Sequence, residues 1–154
     1  MSETTRTRLL LIVTGSTLRA EQVDRPLAYF LKQQAEAKLA ELGARFEVLV
    51  LADFRWLNDE GLQRLPTISV GGPGVNALAR QWLEEMPVSL AVDDQYFIQM
   101  DPDLDELRAS IWGMTNATTQ IAVSAFLNRF LPRFLDRCQS ADPVALDDED
   151  EDTE

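Results

Sequence analysis

The chain alternates short apolar runs with longer segments in which apolar residues recur every three or four positions. The first run, RLLLIVTGS, is continuously apolar and ends in a glycine and a serine, which is typical of a strand buried on both faces. FEVLVLADF and TISVGG repeat this pattern. VSLAV predicts a fourth strand, and QYFIQM predicts a fifth that pairs back as a hairpin or forms an edge. ASIWG is a further short strand candidate.

The segment between the first two predicted strands has helical periodicity. It runs from about Asp24 to Leu42. Pro26 suits the first turn of a helix, and Gly43 suits the position just past its end. The apolar stripe of this helix is predicted to comprise Leu27, Phe30, Leu31, Ala35, Leu39 and Leu42.

Two further helices are predicted. One begins at Pro73, in the loop after the third strand. The other runs from near Asn116 to Arg137, and Pro132 is expected to kink it or to end its regular part. Between the second and third strands, NDEGLQRL indicates a short helical turn capped by Asn58.

The alternation of strands and helices predicts parallel strand pairs joined by right-handed crossovers. The expected fold is a three-layer α/β sandwich around a mainly parallel sheet of about five strands. Flavodoxin-like and Rossmann-like strand orders both fit, because hydrophobic periodicity does not specify which strands are neighbours.

Length and charge divide the 154 residues into a domain and a tail. Residues 1–140 are long enough for a single core and predict one α/β domain. The net charge of the chain is −12, and from Asp142 onward we count eight acidic residues and no basic ones. Residues 141–154 are therefore expected to form a disordered acidic tail. The acidic balance argues against nucleic acid as a partner.

The residue types that are missing limit the chemistry. The chain has no histidine, which removes the usual general base and the commonest metal ligand. Its two lysines, Lys32 and Lys38, both fall in the first predicted helix. Cys138 is the only cysteine, so an internal disulfide is excluded and a cytoplasmic location is expected. No apolar run is long enough for a membrane span, so no membrane partner is predicted. Because the chain has no histidine, no metal site is predicted.

Four loops leave predicted strands at the carboxyl edge of the sheet, where open α/β sheets bind ligands. The first, TGSTLR, offers small and hydroxyl residues that can surround a phosphate at a helix N-terminus. It lacks both the dinucleotide-binding and the P-loop patterns. Two interpretations stay open: a strand-to-helix turn, or a ligand loop formed by Gly15, Ser16, Thr17 and Arg19.

The loop after the third strand reads Gly-Gly-Pro-Gly and continues to an asparagine. A strand-turn-helix connection explains every one of these residues. Three glycines around one proline are nevertheless more permissive than a turn needs, which favours a ligand. The candidate contacts are Gly71, Gly72, Gly74 and Asn76.

The remaining candidates are polar residues at the ends of other strands. Thr115 and Asn116 are natural helix caps that can also bind an anion. Asp53 occupies the place of a ribose-binding acid in dinucleotide folds, or is a strand-end turn residue. Asp93 and Asp94 suit Mg²⁺ or a general base, or a hairpin turn.

The first third of the chain, from LLLIVTGSTLRAEQVDR to FEVLVLADF, resembles the opening of the NADPH-dependent FMN reductases, which are flavodoxin-like. The shared features are a strand, a Gly-Ser-hydroxyl-Arg loop, a helix that begins near an arginine, and a second strand ending in Asp. The resemblance implies FMN as a cofactor. It implies that Ser16, Thr17, Arg19 and Arg25 contact the FMN phosphate.

Two classes of function follow. The favoured one is a non-catalytic interaction or regulatory module with a ligand site at the carboxyl edge of its sheet, and it implies a protein partner. It depends on the missing histidine, the scarce lysine and the acidic tail. The alternative is a degenerate flavin- or nucleotide-binding protein. Phe126, Phe130 and Phe134 recur at i, i+4 and i+8, which fits either core burial or a homodimer face.

Overall fold

The computed structural model describes residues 8–86, 90–93 and 96–140. Its strands are β1 (Arg8–Thr14), β2 (Phe46–Ala52), β3 (Thr67–Val70), β4 (Leu90–Asp93), β5 (Tyr96–Met100) and β6 (Arg108–Gly113). They form one sheet in the order β2-β1-β3-β6-β5-β4. Strands β2, β1, β3 and β6 are parallel, and β5 is antiparallel to both β6 and β4. The predicted α/β class with a mainly parallel sheet is confirmed, with six strands.

Helices cover both faces of the sheet. They are α1 (Arg25–Glu41), α2 (Asp53–Leu57), α3 (Ala77–Glu85), α4 (Asn116–Arg129) and α5 (Leu131–Ser140), with a π-helical turn at Ala20–Asp24 and a 3₁₀ turn at Leu62–Arg64. Helices α1, α4 and α5 pack in one hydrophobic core, while α2 and α3 pack in the other. This is the expected three-layer arrangement. Within the described ranges, none of the helices is both long and apolar enough to cross a membrane.

The two cores follow from the alternation of side chains along each strand. In β1, Leu10 and Ile12 lie in the core with α1, whereas Leu11 and Val13 lie in the core with α3. All four side chains are fully buried, which is why the run reads as continuously apolar.

The strand order places β1 between β2 and β3. The chain therefore winds from β1 to β2 in one direction and returns to β3 on the other side of β1. This reversal defines a switch point between the carboxyl ends of β1 and β3, where open α/β sheets hold ligands. The first three strands follow the flavodoxin-like order, and the sheet then departs from it with the antiparallel pair β4 and β5.

Helix α3 begins at Ala77, so the prediction of a start at Pro73 was wrong. The backbone amides of Val75 and Asn76 both donate to the carbonyl of Gly72, which closes a turn before the helix. The side chain of Asn76 then caps the helix by accepting from the amides at 78 and 79. A side-chain acceptor at Asn76 thus determines the start, and proline at N1 does not.

The helical turn predicted within NDEGLQRL is present as the 3₁₀ turn at Leu62–Arg64, but Asn58 does not cap it. Asp59 lies before this turn, and its carboxylate accepts hydrogen bonds from the amides of Gly61 and Leu62. Asn58 instead ends α2, a short helix that was not predicted, and donates its side-chain amide to the carbonyl of Phe54. Helix α2 begins at Asp53, whose carboxylate accepts the amide of Phe54.

Helix α1 buries Ala28, Leu31, Ala35 and Leu39, four residues with helical spacing. Phe30 and Leu42 were predicted to share this stripe, but their side chains are 44% and 50% exposed. The buried stripe extends backward through Ala20 and Asp24 of the π-turn, so the face toward the sheet is rotated away from Phe30.

The last predicted helix divides where Pro132 indicated. Helix α4 ends at Arg129, and Pro132 lies in the first turn of α5, where its missing amide hydrogen is tolerated. Phe126 and Phe134 are fully buried and their rings are 6.0 Å apart, so this spacing serves the core. The tail at 141–154 and the Asp94 position lie outside the described residues, as does the side chain of Asp93.

Candidate functional site

The loops after β1 and β3 meet backbone to backbone at the switch point. A Cβ atom at Gly15 would lie 1.8 Å from the carbonyl oxygen of Val75 and 3.0 Å from Cβ of Ala20. Only a residue without a side chain permits this approach. We call the place where residues 15–19, residues 71–74 and Asp24 meet the switch-point site.

Gly71 is the position in the glycine-rich loop that requires glycine by conformation. Its φ is +112°, and a Cβ there would lie 2.6 Å from carboxyl oxygen Oδ2 of Asp24. The loop after β3 therefore lies directly against an acidic side chain of the π-turn that follows β1. The sequence of either segment alone does not predict this contact.

Asp24 is a carboxyl group in a buried position. The residue is 6% exposed, and no described residue donates a hydrogen bond to its oxygens. Burial raises its pKa from 3.8 to about 6, and the nearby charge of Arg19 opposes this rise. Such a group in a crevice is a candidate for binding or proton exchange.

The π-turn before α1 positions Asp24. The amide of Arg25 donates to the carbonyl of Ala20, five residues earlier, which widens the helix by one residue. With this spacing Ala20 and Asp24 are both buried and continue the sheet-facing stripe of α1. The carboxyl thus occupies a place where the rest of the stripe is apolar. Wide turns of this kind are frequent at functional sites.

The rim of the site consists of exposed residues. Ser16 and Arg19 are solvent-exposed, and so is Gly74, where a Cβ would meet nothing within 4 Å. Thr17 is also exposed, but its hydroxyl accepts the amide of Ala20 at 3.1 Å and so caps the turn. The guanidinium of Arg25 lies 5.9 Å from the ring centre of Tyr29.

Asn76, which the sequence placed among the ligand contacts, has a structural role. It is fully buried, and its Oδ1 accepts the amides of Leu78 and Ala79 at 2.9 and 3.2 Å. Its Nδ2 donates to the hydroxyl of Ser69 at 3.0 Å and to the carbonyl of Val70 at 3.1 Å. These bonds join β3 to α3 and use the hydrogen-bonding capacity of the side chain.

Asp53 has a comparable role on the other side of β1. One carboxylate oxygen accepts the amide of Phe54 and the other accepts the amide of Ala77, both at 2.7 Å. The carboxylate is 5% exposed and connects the first turns of α2 and α3. Asp53 is therefore a strand-end turn residue, one of the two predicted roles, and it also binds the first turn of a second helix.

An aromatic pair flanks Gly72. A Cβ at Gly72 would lie 3.4 Å from the indole ring of Trp112 in β6, and Trp112 packs against Phe97 with ring centres 4.4 Å apart. Both rings are partly exposed. The indole Nε1 of Trp112 is buried and has no hydrogen-bond partner among the described residues. A flat, partly open aromatic surface therefore adjoins the loop after β3.

The polar side chains at the N-terminal end of α4 form hydrogen bonds with one another and with the neighbouring backbone. Thr115 and Thr118 form a reciprocal capping box, and the hydroxyl of Thr119 accepts the amide of Gly113 at 3.0 Å. Asn116 is exposed at the first helical position. In the part of the chain that the structure describes, no hydrogen bond links Thr115 or Asn116 to the switch-point site.

Cys138 lies away from this edge. The guanidinium of Arg8, at the amino end of β1, donates to the Cys138 carbonyl, which places the cysteine near the opposite end of the sheet. Burial raises the pKa of its thiol to about 12, so the thiol stays protonated. Among the described residues, no group of three or more Cys, Asp or Glu side chains is arranged to hold a metal ion.

Sequence reasoning missed Asp24 and Trp112 as parts of the site. A signal for Asp24 exists, since it lies four residues before Ala28 and so continues the buried stripe of α1. No comparable signal exists for Trp112, because its contact with Gly72 depends on β6 lying beside β3.

The comparisons with known proteins leave the site to be interpreted from its geometry. No protein-family model matches the chain, and no curated protein matches it significantly. The resemblance to the FMN reductases thus depends on the first third of the sequence alone.

Proposed function

We propose that this chain is a non-catalytic binding or regulatory module whose ligand occupies the switch-point site. The observation that carries the proposal is the junction of Gly15 with Val75 and of Asp24 with Gly71. Two loops that are 56 residues apart in sequence, counted from position 15 to position 71, are held in contact by residues that tolerate no side chain there. Such close packing beside a buried, unpartnered carboxyl supports a binding crevice over a plain turn.

A non-catalytic role is supported by the residue types near the site. The chain has no histidine, and its only thiol is buried and protonated. The hydroxyl of Thr17 caps the π-turn, and the hydroxyl of Ser16 forms no hydrogen bond with a described side chain that could act as a base. Binding needs none of these groups, because a crevice with one charged residue can select a ligand by fit and charge.

A native mass spectrum of the freshly purified protein is the first test of this proposal. We expect a fraction of the protein to carry a small bound mass. Gly74→Trp should abolish that mass, because the added Cβ would enter open space at the exposed rim and the indole would block access to the site. Gln33→Trp, at an exposed position in α1, is the matched control and should retain the mass. A bare polypeptide that also fails to bind added nucleotides, FMN and small organic cations would contradict the proposal.

Flavin binding is the second candidate function. The observation that favours it is the partly exposed Trp112 ring beside Gly72, since a flat isoalloxazine ring prefers an aromatic wall. In this interpretation Ser16 and Arg19 hold the phosphate, as the resemblance to the FMN reductases implies.

Quenching of FMN fluorescence on titration with the protein tests the flavin alternative. The double variant Ser16→Ala, Arg19→Ala should weaken FMN binding at least tenfold, because it removes a hydroxyl and a charge-assisted hydrogen bond worth about 1.5–3 kcal/mol. Both side chains are exposed, so the melting temperature should stay nearly unchanged. Equal quenching by the parent protein and the double variant would exclude this phosphate site.

A further inference from the structure

We propose that the ligand of the switch-point site carries an ammonium or guanidinium group, which the carboxylate of Asp24 binds directly beside Gly71. This inference rests on the proposed function and specifies its ligand. The geometry points to it because the carboxyl oxygen Oδ2 lies against the glycine-rich loop, at the place where the two loops meet.

Two polar groups at the carboxyl end of β1 and in the π-turn lack hydrogen-bond partners among the described residues. Asp24 is 6% exposed and accepts no hydrogen bond from them, while its oxygens keep some contact with solvent. The hydroxyl of Thr14 is fully buried and has no partner in the described part of the chain. Thr14 follows Leu10 and Ile12 at alternate positions, so it lies on the sheet face that α1 covers. A fully buried hydroxyl without a partner is rare in proteins and favours an external partner.

The charges around Asp24 come from its own helical segment. The π-turn packs against α1 and β1. On the helical side, the ionisable neighbours are Arg19, Glu21 and Arg25. Residues 9–15 of β1 and its end, residues 66–76 around the loop after β3, and residues 109–116 around the end of β6 contain no ionisable side chain. Among the described residues, the positive charge of Arg19 favours the ionised form of Asp24 and so lowers its pKa, and Arg19 is exposed.

A cationic group fits this arrangement better than an anionic one. A carboxylate in a poorly solvated crevice attracts a cation strongly and repels a phosphate. Binding of a cation requires ionised Asp24, so affinity should rise with pH. Binding of an anion would require protonated Asp24, so affinity should then rise as the pH falls. The direction of the pH dependence therefore separates the two ligand classes.

Two-dimensional ¹H–¹⁵N NMR with methylguanidinium chloride as the probe tests the inference on the full chain. We expect saturable shifts centred on the amides of Asp24, Gly71 and Gly72 at pH 7.5. The affinity should fall roughly tenfold at pH 5.0, because a carboxyl with a pKa of about 6 is then ionised in only about a tenth of the molecules. Sodium chloride at equal concentration controls for ionic strength.

Variants on the same helical turn provide the matched controls. Asp24→Asn should abolish the localised shifts, whereas Glu21→Gln, an exposed acid three residues earlier, should retain them. Arg19→Gln should strengthen binding a few-fold, because it removes the cation that competes for Asp24. If Asp24→Asn were to unfold, the pH dependence of the parent protein and the Arg19 variant would still test the inference.

Three results would overturn the inference. Shifts that survive in Asp24→Asn would place the probe elsewhere, and shifts that strengthen on acidification would assign the opposite charge to the ligand. Sodium phosphate or FMN shifting the same amides would also contradict it, while leaving the proposed binding function intact. If no bound mass is found and methylguanidinium, nucleotides and FMN all fail to bind, the proposed function fails as well.

Discussion

Individual residues at the carboxyl edge divide into those that hold the fold and those that remain open to a ligand. Asn76 and Asp53 belong to the first group, because their polar atoms bond to backbone amides and carbonyls of neighbouring elements. Ser16, Arg19 and Gly74 belong to the second, because they are exposed. Residue type alone does not separate the groups, since both contain polar residues in loops after strands.

Asn76→Ala should destabilise the protein by about 3 kcal/mol. The substitution removes the cap of α3 and leaves two amides and the carbonyl of Val70 without their partner. The free energy of unfolding in urea measures this loss. Asn116→Ala, at an exposed position, should change it by less than about 0.5 kcal/mol. Similar values for the two variants would refute the role assigned to Asn76.

Gly15→Ala should destabilise by about 3 kcal/mol or more. The added methyl group would lie 1.8 Å from the Val75 carbonyl oxygen, and a backbone atom has little freedom to move aside. Gly74→Ala is the control, and it should be neutral within about 0.5 kcal/mol because its Cβ would enter open space. Thermal melts give the melting temperatures of both variants. A Gly15 variant as stable as the parent protein would mean that the loops after β1 and β3 separate at little cost in free energy.

At the scale of elements, helix starts in this protein depend on side-chain caps. Asn76 caps α3 and Thr115 caps α4, and the proline that precedes α3 does not begin that helix. Pro132 instead causes the break between α4 and α5, because a proline in a helix interior lacks the amide hydrogen that the helical hydrogen bonds need. Local chemistry therefore accounts for most element boundaries.

Thr115→Ala should lower the melting temperature by roughly 2–4 °C, which corresponds to about 1 kcal/mol in a domain of this size. The change removes the hydroxyl that accepts the amide of Thr118 in the capping box. Thr115→Ser retains this hydroxyl and should preserve the melting temperature. Calorimetry of both variants distinguishes the cap from a mere loss of side-chain volume.

At the scale of the whole molecule, one buried carboxyl links stability to pH. Asp24 has a higher pKa in the folded state, about 6, than its unperturbed value of 3.8. Between these values the folded state binds more protons than the unfolded state, so stability falls as the pH rises toward 6. Above pH 6 the carboxyl is ionised in a largely buried position, which opposes folding.

Asp24→Asn should therefore raise the melting temperature at pH 8 by roughly 2–4 °C, or about 1 kcal/mol after allowing for the carboxyl's remaining access to solvent. The gain should shrink as the pH falls from 6 to 4, because the carboxyl of the parent protein becomes protonated. Melting temperatures measured across this range test the sign. A gain that stays constant with pH would show that Asp24 is not the titrating group.

Much of the fold could be predicted from local patterns in the sequence. Continuous apolar runs predicted buried strands, 3.6-residue periodicity predicted the helices, and Pro132 marked the break in the last one, because each of these signals depends on neighbouring residues. The convergence of the loops after β1 and β3 also followed, since parallel strands end at the same edge.

Tertiary structure decided which of those segments touch. It placed β6 beside β3, which brings Trp112 against Gly72, and it pressed Gly15 against Val75. It buried Asp24 in the stripe of α1, which raises the pKa of a carboxyl that the sequence shows only as one acid among many. These features depend on contacts between distant segments, and the free energy of such contacts is set by the packing of the whole domain, not by local pattern.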